Sequence, residues 1–329
     1  MNIFELKERI FQIKNQNEFE QIALEVFRFQ AENVPTYKKY LHLHNIQIDE
    51  VKSIRDIRFL PIELFKYQTV TYLGLNKGVC FQSSGTGNTL RSKHFLPDME
   101  LYEASFFNCF ELFLGSVSEY VILALLPSYL ENGDSSLVYM VDKLIQKSGN
   151  TLGGFYLNNF EQLFDQLQFL KMRSKKTLLL GVSYALLDFG EQFQIDFPEL
   201  IIVETGGMKG RKKEITRLEL HEKLSYLYKT NKIYSEYGMT ELLSQAWMIA
   251  NHKFQSPPWM KVLVRDPYDP FDFLPENRSG GINVVDLCNL YSCSFIETSD
   301  LGKVFGDGFF EVSGRIDHIE IRGCNLLYA

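Results

Sequence analysis

Apolar positions recur at helical spacing through the first sixty residues. Ile3, Leu6, Ile10 and Ile13 fall on one face, and Phe19, Ile22, Ala23, Val26 and Phe27 repeat the pattern. Asn17, with Glu20 three residues on, reads as the N-cap of the second helix, and Pro35 ends the pattern. The period then changes. Short apolar runs at 79–82, 121–126, 177–180, 200–204 and 232–235 predict strands. Longer amphipathic stretches at 98–114, 135–147, 159–171 and 214–228 predict helices between them. Strands alternating with helices argue for an α/β fold with a mainly parallel sheet covered on its faces. Beyond about residue 250 the helical period fades and Pro257, Pro258, Pro267, Pro270 and Pro275 cluster. Short β-like runs at 261–265, 281–287, 308–312 and 318–322 predict a β-rich subdomain there. The expected organisation is a helical segment at 1–78 opening a large domain, an α/β core at 79–250, a β-rich subdomain at 251–314, and a hinge with a short tail at 315–329.

Composition narrows the functional classes. A chain of 329 residues holds roughly two domains. Lys plus Arg number 34 against 41 Asp plus Glu, a net charge of −7. With no basic excess, nucleic-acid binding is not expected, since it relies on cations that neutralise phosphates. The five cysteines are odd in number and scattered, which reads as reduced thiols in a cytosolic, cytoplasmic protein. No basic stretch precedes an apolar run at the start, so no signal peptide is expected. No apolar run approaches the ~20 residues of a membrane span. The six histidines form no set with metal-ligand spacing.

Four short stretches carry candidate chemistry. Ser83, Ser84, Gly85, Thr86, Gly87, Asn88 and Thr89 follow a predicted strand. They match neither a Walker loop nor a dinucleotide fingerprint. Small residues with hydroxyls and free N–H groups can wrap phosphate oxygens closely; they also make an ordinary exposed turn. Arg91, Lys93 and His94 follow as a source of positive charge. Tyr237, Gly238, Met239, Thr240 and Glu241 offer a ring for a base, a hydroxyl for a phosphate and a carboxylate for Mg²⁺, or else a strand end and a turn. Asp300, before Leu301 and Gly302, can accept hydrogen bonds from a ribose or sit in a tight turn. Gly314, Arg315, Ile316 and Asp317 form either a hinge or a polar hairpin.

Taken in order, these stretches resemble the motif series of the acyl-adenylate-forming (ANL) superfamily, which includes acyl-CoA synthetases, firefly luciferase and peptide-synthetase adenylation domains. The length is most similar to the acyl-protein synthetases of the bacterial-luminescence LuxE type. Glu204 to Gly210 also looks like that family, and the resemblance runs from about Phe59 to the carboxyl end. It implies ATP and Mg²⁺ as cofactors and a small carboxylic acid, fatty or aryl, as substrate. Ser83 to Thr89 would hold the β- and γ-phosphates, Gly206 and Gly207 would line the adenine site, and Tyr237 would stack on the base beside Gly238. Thr240 would touch the α-phosphate, Glu241 would ligate Mg²⁺, Asp300 would bind the ribose, Arg315 would assist there, and Asp317 would mark the hinge. Two departures stand out. The phosphate loop lacks the family's second Thr before Gly87, and the chain stops twelve residues after Asp317, where the family continues into a lid carrying a catalytic Lys. The C-terminal lid is thus expected to be missing or a stub, and Lys209, in a cluster with Arg211, Lys212 and Lys213, is the candidate replacement cation.

The LuxE resemblance further implies a cysteine near the carboxyl end that carries the acyl group to a partner reductase or carrier protein. Cys324 is in that place, beside Arg322, which would favour its thiolate. Seven residues from Asp317 reach at most ~25 Å when extended. Coenzyme A is the alternative acceptor, and a nucleotide-binding scaffold without turnover is the non-catalytic alternative. Cys288 and Cys293 are assigned to the β-rich core. A rival chemistry rests on Gly181, Val182, Ser183, Tyr184 and Ala185, which resemble a nucleophile elbow of a serine hydrolase or acyltransferase. The Phe-rich stretch at 105–113 reads as core or as the wall of an acyl pocket.

Overall fold

Continuous apolar runs and alternating ones build two different sheets in this chain. The computed structural model describes residues 3–84, 90–127, 133–157, 159–206 and 215–316. In chain order the helices and strands are α1 (Ile3–Ile10), α2 (Gln16–Asn33), α3 (Pro35–Leu43), β1 (Leu60–Pro61), α4 (Leu64–Tyr67), β2 (Val79–Gln82), β3 (Lys93–Leu96), α5 (Met99–Leu114), β4 (Val121–Leu125), α6 (Ser136–Ser148), β5 (Gly154–Phe155), α7 (Phe160–Met172), β6 (Thr177–Val182), α8 (Ser183–Gln192), β7 (Ile201–Thr205), α9 (Arg217–Tyr228), β8 (Ile233–Tyr237), β9 (Ala246–Met248), β10 (Met260–Arg265), β11 (Ser279–Asp286), β12 (Phe295–Val304) and β13 (Phe310–Arg315). They divide into two units that each draw on separate stretches of chain. The first comprises Met1–Tyr102, Thr240–Ser244 and Gln255–Ala329, and the second Glu103–Met239 and Gln245–Phe254.

The second unit holds a six-stranded sheet in the order β5-β4-β6-β7-β8-β9. It is parallel except for β9, which returns antiparallel along β8. Strands β4, β6 and β7 are buried along their whole length, as a parallel sheet covered on both faces requires. From β4 the chain moves outward to β5 and then returns past β4 to β6. That reversal is a topological switch, and in open α/β sheets ligands bind beyond the carboxyl ends of the strands near it. Ser183, Gly206 and Gly238 follow directly on β6, β7 and β8 and so share that edge. On α5, Phe106, Cys109 and Phe110 are buried, and Phe110 meets Tyr120 and Trp247 edge-on, so this Phe-rich face is core.

The first unit holds a five-stranded sheet, β1-β12-β11-β10 with β13 also on β12. All of its pairings are antiparallel except β1 with β12. At ten residues β12 is its longest strand, and the apolar pattern does not announce it. Its inward positions alternate with Glu297, Ser299 and Lys303, and Asp300 and Gly302 lie within the strand, where a turn had been one expectation. A register shift between Leu301 and Gly302 replaces the turn. Likewise β3 pairs antiparallel with β2, making a hairpin whose connection contains the Ser- and Gly-rich stretch. The expected strand at 318–322 lies outside the described residues. The cap of α2 is set two residues earlier than Asn17: Asn15 accepts from the N–H groups of Asn17 and Glu18, and Glu18 accepts from the Lys14 N–H, the same Asn-x-x-Glu spacing displaced.

Phe295 sits at the centre of the first unit's core, with the rings of Phe27, Tyr37 and Phe59 around it. Beside this cluster Gln30 of α2 is fully buried. Its Nε2 donates to the carbonyls of Asn289 and Leu290, and its Oε1 accepts from the Ser294 N–H. Gln30→Leu strands these buried backbone groups and is expected to cost roughly 2–4 kcal/mol. The urea midpoint reads this directly; an unchanged midpoint contradicts the role.

Candidate active site

In the first unit the polar groups gather around residues 240–244. Asp286, at the end of β11, is fully buried. Its Oδ2 accepts from the N–H groups of Leu243 at 2.7 Å and Ser244 at 2.8 Å, and its Oδ1 from the Ser244 hydroxyl at 2.6 Å. Asn289 Nδ2 donates to the Glu241 carbonyl at 2.6 Å. His94 Nδ1 lies 2.7 Å from the Thr240 carbonyl, which makes that nitrogen the donor. Two consecutive carbonyls are therefore held from two sides. The Glu241 side chain is buried, and desolvation raises its pKa above the ordinary carboxylate range. The Ser92 hydroxyl bonds it, and the charges of Arg315 and Lys66 act on it in the opposite direction. Asp300 pairs with Arg315 at 3.3 Å across the β12–β13 ladder, the Arg side chain being 82% exposed. Ser92, His94, Thr240, Glu241, Asp300 and Arg315 thus belong to one neighbourhood.

Ser83 and Ser92 close the stem of the β2–β3 hairpin. The Ser83 N–H donates to the Ser92 carbonyl, and the Ser92 N–H donates to the Ser83 hydroxyl. Arg91 folds back, its Nε donating to the Ser83 carbonyl at 2.5 Å. Ser84 is exposed at the top of the stem. Gly85, Thr86, Gly87 and Thr89 lie outside the described residues, as do Gly207, Lys209, Asp317 and Cys324.

In the second unit the carboxyl edge of the sheet carries two buried carboxylates in opposite states. Glu204 accepts from Ser183 Oγ at 2.9 Å and Arg217 Nε at 3.1 Å, with His221 Nε2 at 3.7 Å. Burial alone would raise its pKa, but the His221 and Arg217 contacts prevail and hold it below the ordinary range. Glu236, one strand over, has among the described residues only the Thr205 hydroxyl, at 2.5 Å. Desolvation and the Glu204 charge push its pKa up to about 7. Gly206 has φ +69°, a conformation that favours glycine, and its carbonyl accepts from Ser183 Oγ at 3.1 Å. The Tyr237 ring is buried and tilted against Phe254 at 5.8 Å, while Gly238 is exposed at the edge.

Sequence reasoning missed Asp286 and Asn289, because the run at 281–287 reads as a plain apolar strand. The detectable signal was an Asp closing that run with an Asn three residues on. The elbow at Ser183 does have a strand before it and a helix after it. Its hydroxyl nevertheless donates to a buried carboxylate and a carbonyl, and His221 is bonded to Ser235 Oγ at 2.8 Å. Among the described residues no imidazole is thereby placed to take the Ser183 proton. Among the described residues no group of three or more His, Cys, Asp or Glu is arranged for a metal. No described helix is long and apolar enough to cross a membrane. Cys288 and Cys293 are fully buried, and burial pushes the Cys293 thiol up to about 12.

Two buried groups give opposite pH effects. Burial lowers the pKa of His94 to about 4. An unfolded histidine titrates near ~6.5, so this group's stabilisation is full above that pH and is lost as pH falls toward 4. Glu236 is raised, so its contribution is full below an unfolded value of about 4.5 and is lost as pH rises through about 7. His94→Gln should flatten the acid side of a stability–pH curve and Glu236→Gln the neutral side, each by an amount of order 3 kcal/mol at most. Curves parallel to that of the wild type would remove both assignments. A fluorophosphonate probe is expected to leave Ser183 unlabelled.

No family model matches the sequence, and no curated protein matches it. Solved structures do. ATP-bound MatB from Rhodopseudomonas palustris aligns at 17% identity and TM-score 0.55, over 72% of this chain and 47% of the other. A 2-hydroxyisobutyryl-CoA ligase in its postadenylation state, in complex with 2-HIB-AMP, aligns at 12% identity and TM-score 0.69, over 93% and 69%. The luciferase-like enzyme of the nonluminescent mealworm Zophobas morio aligns at 15% identity and TM-score 0.51, over 74% and 58%. The chain spans about half the length of MatB. The α/β architecture of this chain is the fold of the acyl-adenylate-forming enzymes.

Proposed function

We propose that the chain activates a carboxylic acid with ATP and then passes the acyl group to a thiol. In the first step a carboxylate oxygen attacks the α-phosphorus, the α–β anhydride bond breaks and pyrophosphate leaves. In the second a thiolate attacks the acyl carbon and AMP leaves. The observation that carries the reading is the Thr240–Glu241 segment. Its backbone is fixed by His94 and Asn289, and its carboxylate is buried with incomplete compensation. That segment lies in a fold shared with proteins solved with ATP and with an acyl-AMP.

An anion attacking a polyanion requires positioning and charge neutralisation. Glu241 suits a hard divalent cation held by one carboxylate together with substrate phosphates, the usual way Mg²⁺ is bound. A cation there would lower the electrostatic cost of its burial. Thr240 would meet the α-phosphate. The residues Ser83 to Thr89 would hold the outer phosphates, with Arg91 bracing the stem of the β2–β3 hairpin. Asp300 would take the ribose and Arg315 its neighbouring oxygens. Gly206, Gly207, Tyr237 and Gly238 would form the adenine side, and Lys209 would supply charge where acid meets α-phosphate. For the thiol we propose Cys324, with onward transfer to a partner reductase or carrier as in LuxE-type acyl-protein synthetases. Structural similarity to a CoA ligase supports coenzyme A as the other acceptor.

Acid-dependent ATP–pyrophosphate exchange tests the first step and names the acid class. Glu241→Ala is expected to abolish exchange, and Cys324→Ala to retain it while losing a hydroxylamine-sensitive acyl–protein bond. A Cys324→Ala protein that still forms the bond excludes that thiol, and acyl-CoA production by it assigns coenzyme A. ATP binding without exchange for any acid overturns the catalytic reading in favour of a scaffold.

A further inference from the structure

A cavity of about 540 Å³ opens in the first unit, and neither Glu241, Asp300 nor Arg315 lines it. Its size falls within the roughly 300–1,000 Å³ typical of small-molecule pockets. Three cations border it: Lys14 before α2, Arg55 from the turn after residue 53, and Lys261 on β10. Lys261 is half-buried, yet its ammonium makes no hydrogen bond or ion pair among the described residues. Burial lowers its pKa, Glu20 and Glu276 oppose that, and the like charge of Arg55 adds to it. Of the two glutamates, Glu20 already accepts the Ile54 N–H and Glu276 is exposed. Ser256 Oγ, also at the cavity, is buried without a hydrogen-bond partner.

Part of the remaining wall is apolar, and Asn15, Gln16 and Ser53 supply polar stretches. Ile13, Ile54, Met260 and Val262 are core residues that also face this space. Five consecutive residues of β10, 260–264, line it, so it runs along the strand's edge as well as one face. An unpartnered ammonium beside a guanidinium, partly out of water, attracts an anion more strongly than either would on an open surface. The two glutamates set the limit, because they disfavour a dianion such as a phosphate monoester.

We propose that this cavity binds a small organic carboxylate with an apolar body, its head taken by Lys261 and Arg55 and its body laid against Ile13, Ile54 and Val262. The site stands apart from the adenylation motifs and does not depend on that reading.

The probe is decanoate, compared by calorimetry with decanol and decyltrimethylammonium. A diazirine-bearing decanoate locates the site by mass spectrometry of the cross-linked full chain. Saturable binding with cross-links in residues 256–264 is expected, with decanol and the ammonium compound at least tenfold weaker. Lys261→Met should weaken decanoate at this site at least tenfold without lowering the apo melting temperature, since it removes a desolvated charge. Lys261→Arg should keep binding, and Glu241→Ala should leave the cross-link unchanged. Equal affinity for decanol, cross-links only elsewhere, or undiminished labelling of 256–264 in Lys261→Met would each overturn the proposal.

Discussion

Asp286 gathers the N–H groups of Leu243, Ser244 and Cys288 and the hydroxyl of Ser244 onto one buried carboxylate. Those donors reduce the cost of burying it. Burial still prevails and holds its pKa above the ordinary carboxylate value, while each bond lowers it. Residues 240–244 belong to the first unit, while the chain on both sides belongs to the second. Leu242 and Leu243 are buried, so apolar packing holds the middle of this short insertion. Its placement also relies on hydrogen bonds to Asp286, His94 and Asn289, and Trp259 Nε1 adds a bond to the Ser244 hydroxyl. Glu241 has a defined position because of this anchoring.

The buried carboxylates illustrate how company decides charge. Glu204 has an arginine, a histidine and a serine beside it and stays ionised. Glu236 has one hydroxyl and a charged neighbour and holds its proton up to about pH 7. Glu241 has a serine and two cations acting on it from within its unit, yet its pKa remains above the ordinary value. An incoming cation would relieve the electrostatic deficit of Glu241, which is why we propose it as a metal ligand.

Much of the α/β architecture was legible because its strands are short, wholly apolar runs separated by amphipathic helices. The buried runs of β4, β6 and β7 and the helices α6 and α7 all fall within a residue or two of the pattern. By contrast β12 was hidden, since half its positions are polar and its Asp-Leu-Gly stretch also fits a turn. The N-cap of α2 was displaced because Asn15–Glu18 and Asn17–Glu20 have the same spacing, and the local pattern does not choose between them. In the site, Thr240, Glu241, Asp300 and Arg315 were legible as residue types in order. Asp286, Asn289 and the full burial of His94 were not, because their role is to hold backbone groups far away in sequence.

That division of labour bears on what mutations at the site can reveal. The donors His94 and Asn289 take the backbone carbonyls of Thr240 and Glu241 and make no demand on either side chain. The Thr240 hydroxyl has no hydrogen bond among the described residues, and the Glu241 carboxylate is bonded by the Ser92 hydroxyl and its own backbone N–H. The fold therefore positions this segment through atoms that every amino acid possesses. The side chains remain available to be selected for a ligand, a separation that a rigidly held site needs. Substitutions at 240 and 241 should consequently report on chemistry, whereas substitutions at 94, 286 and 289 report on placement.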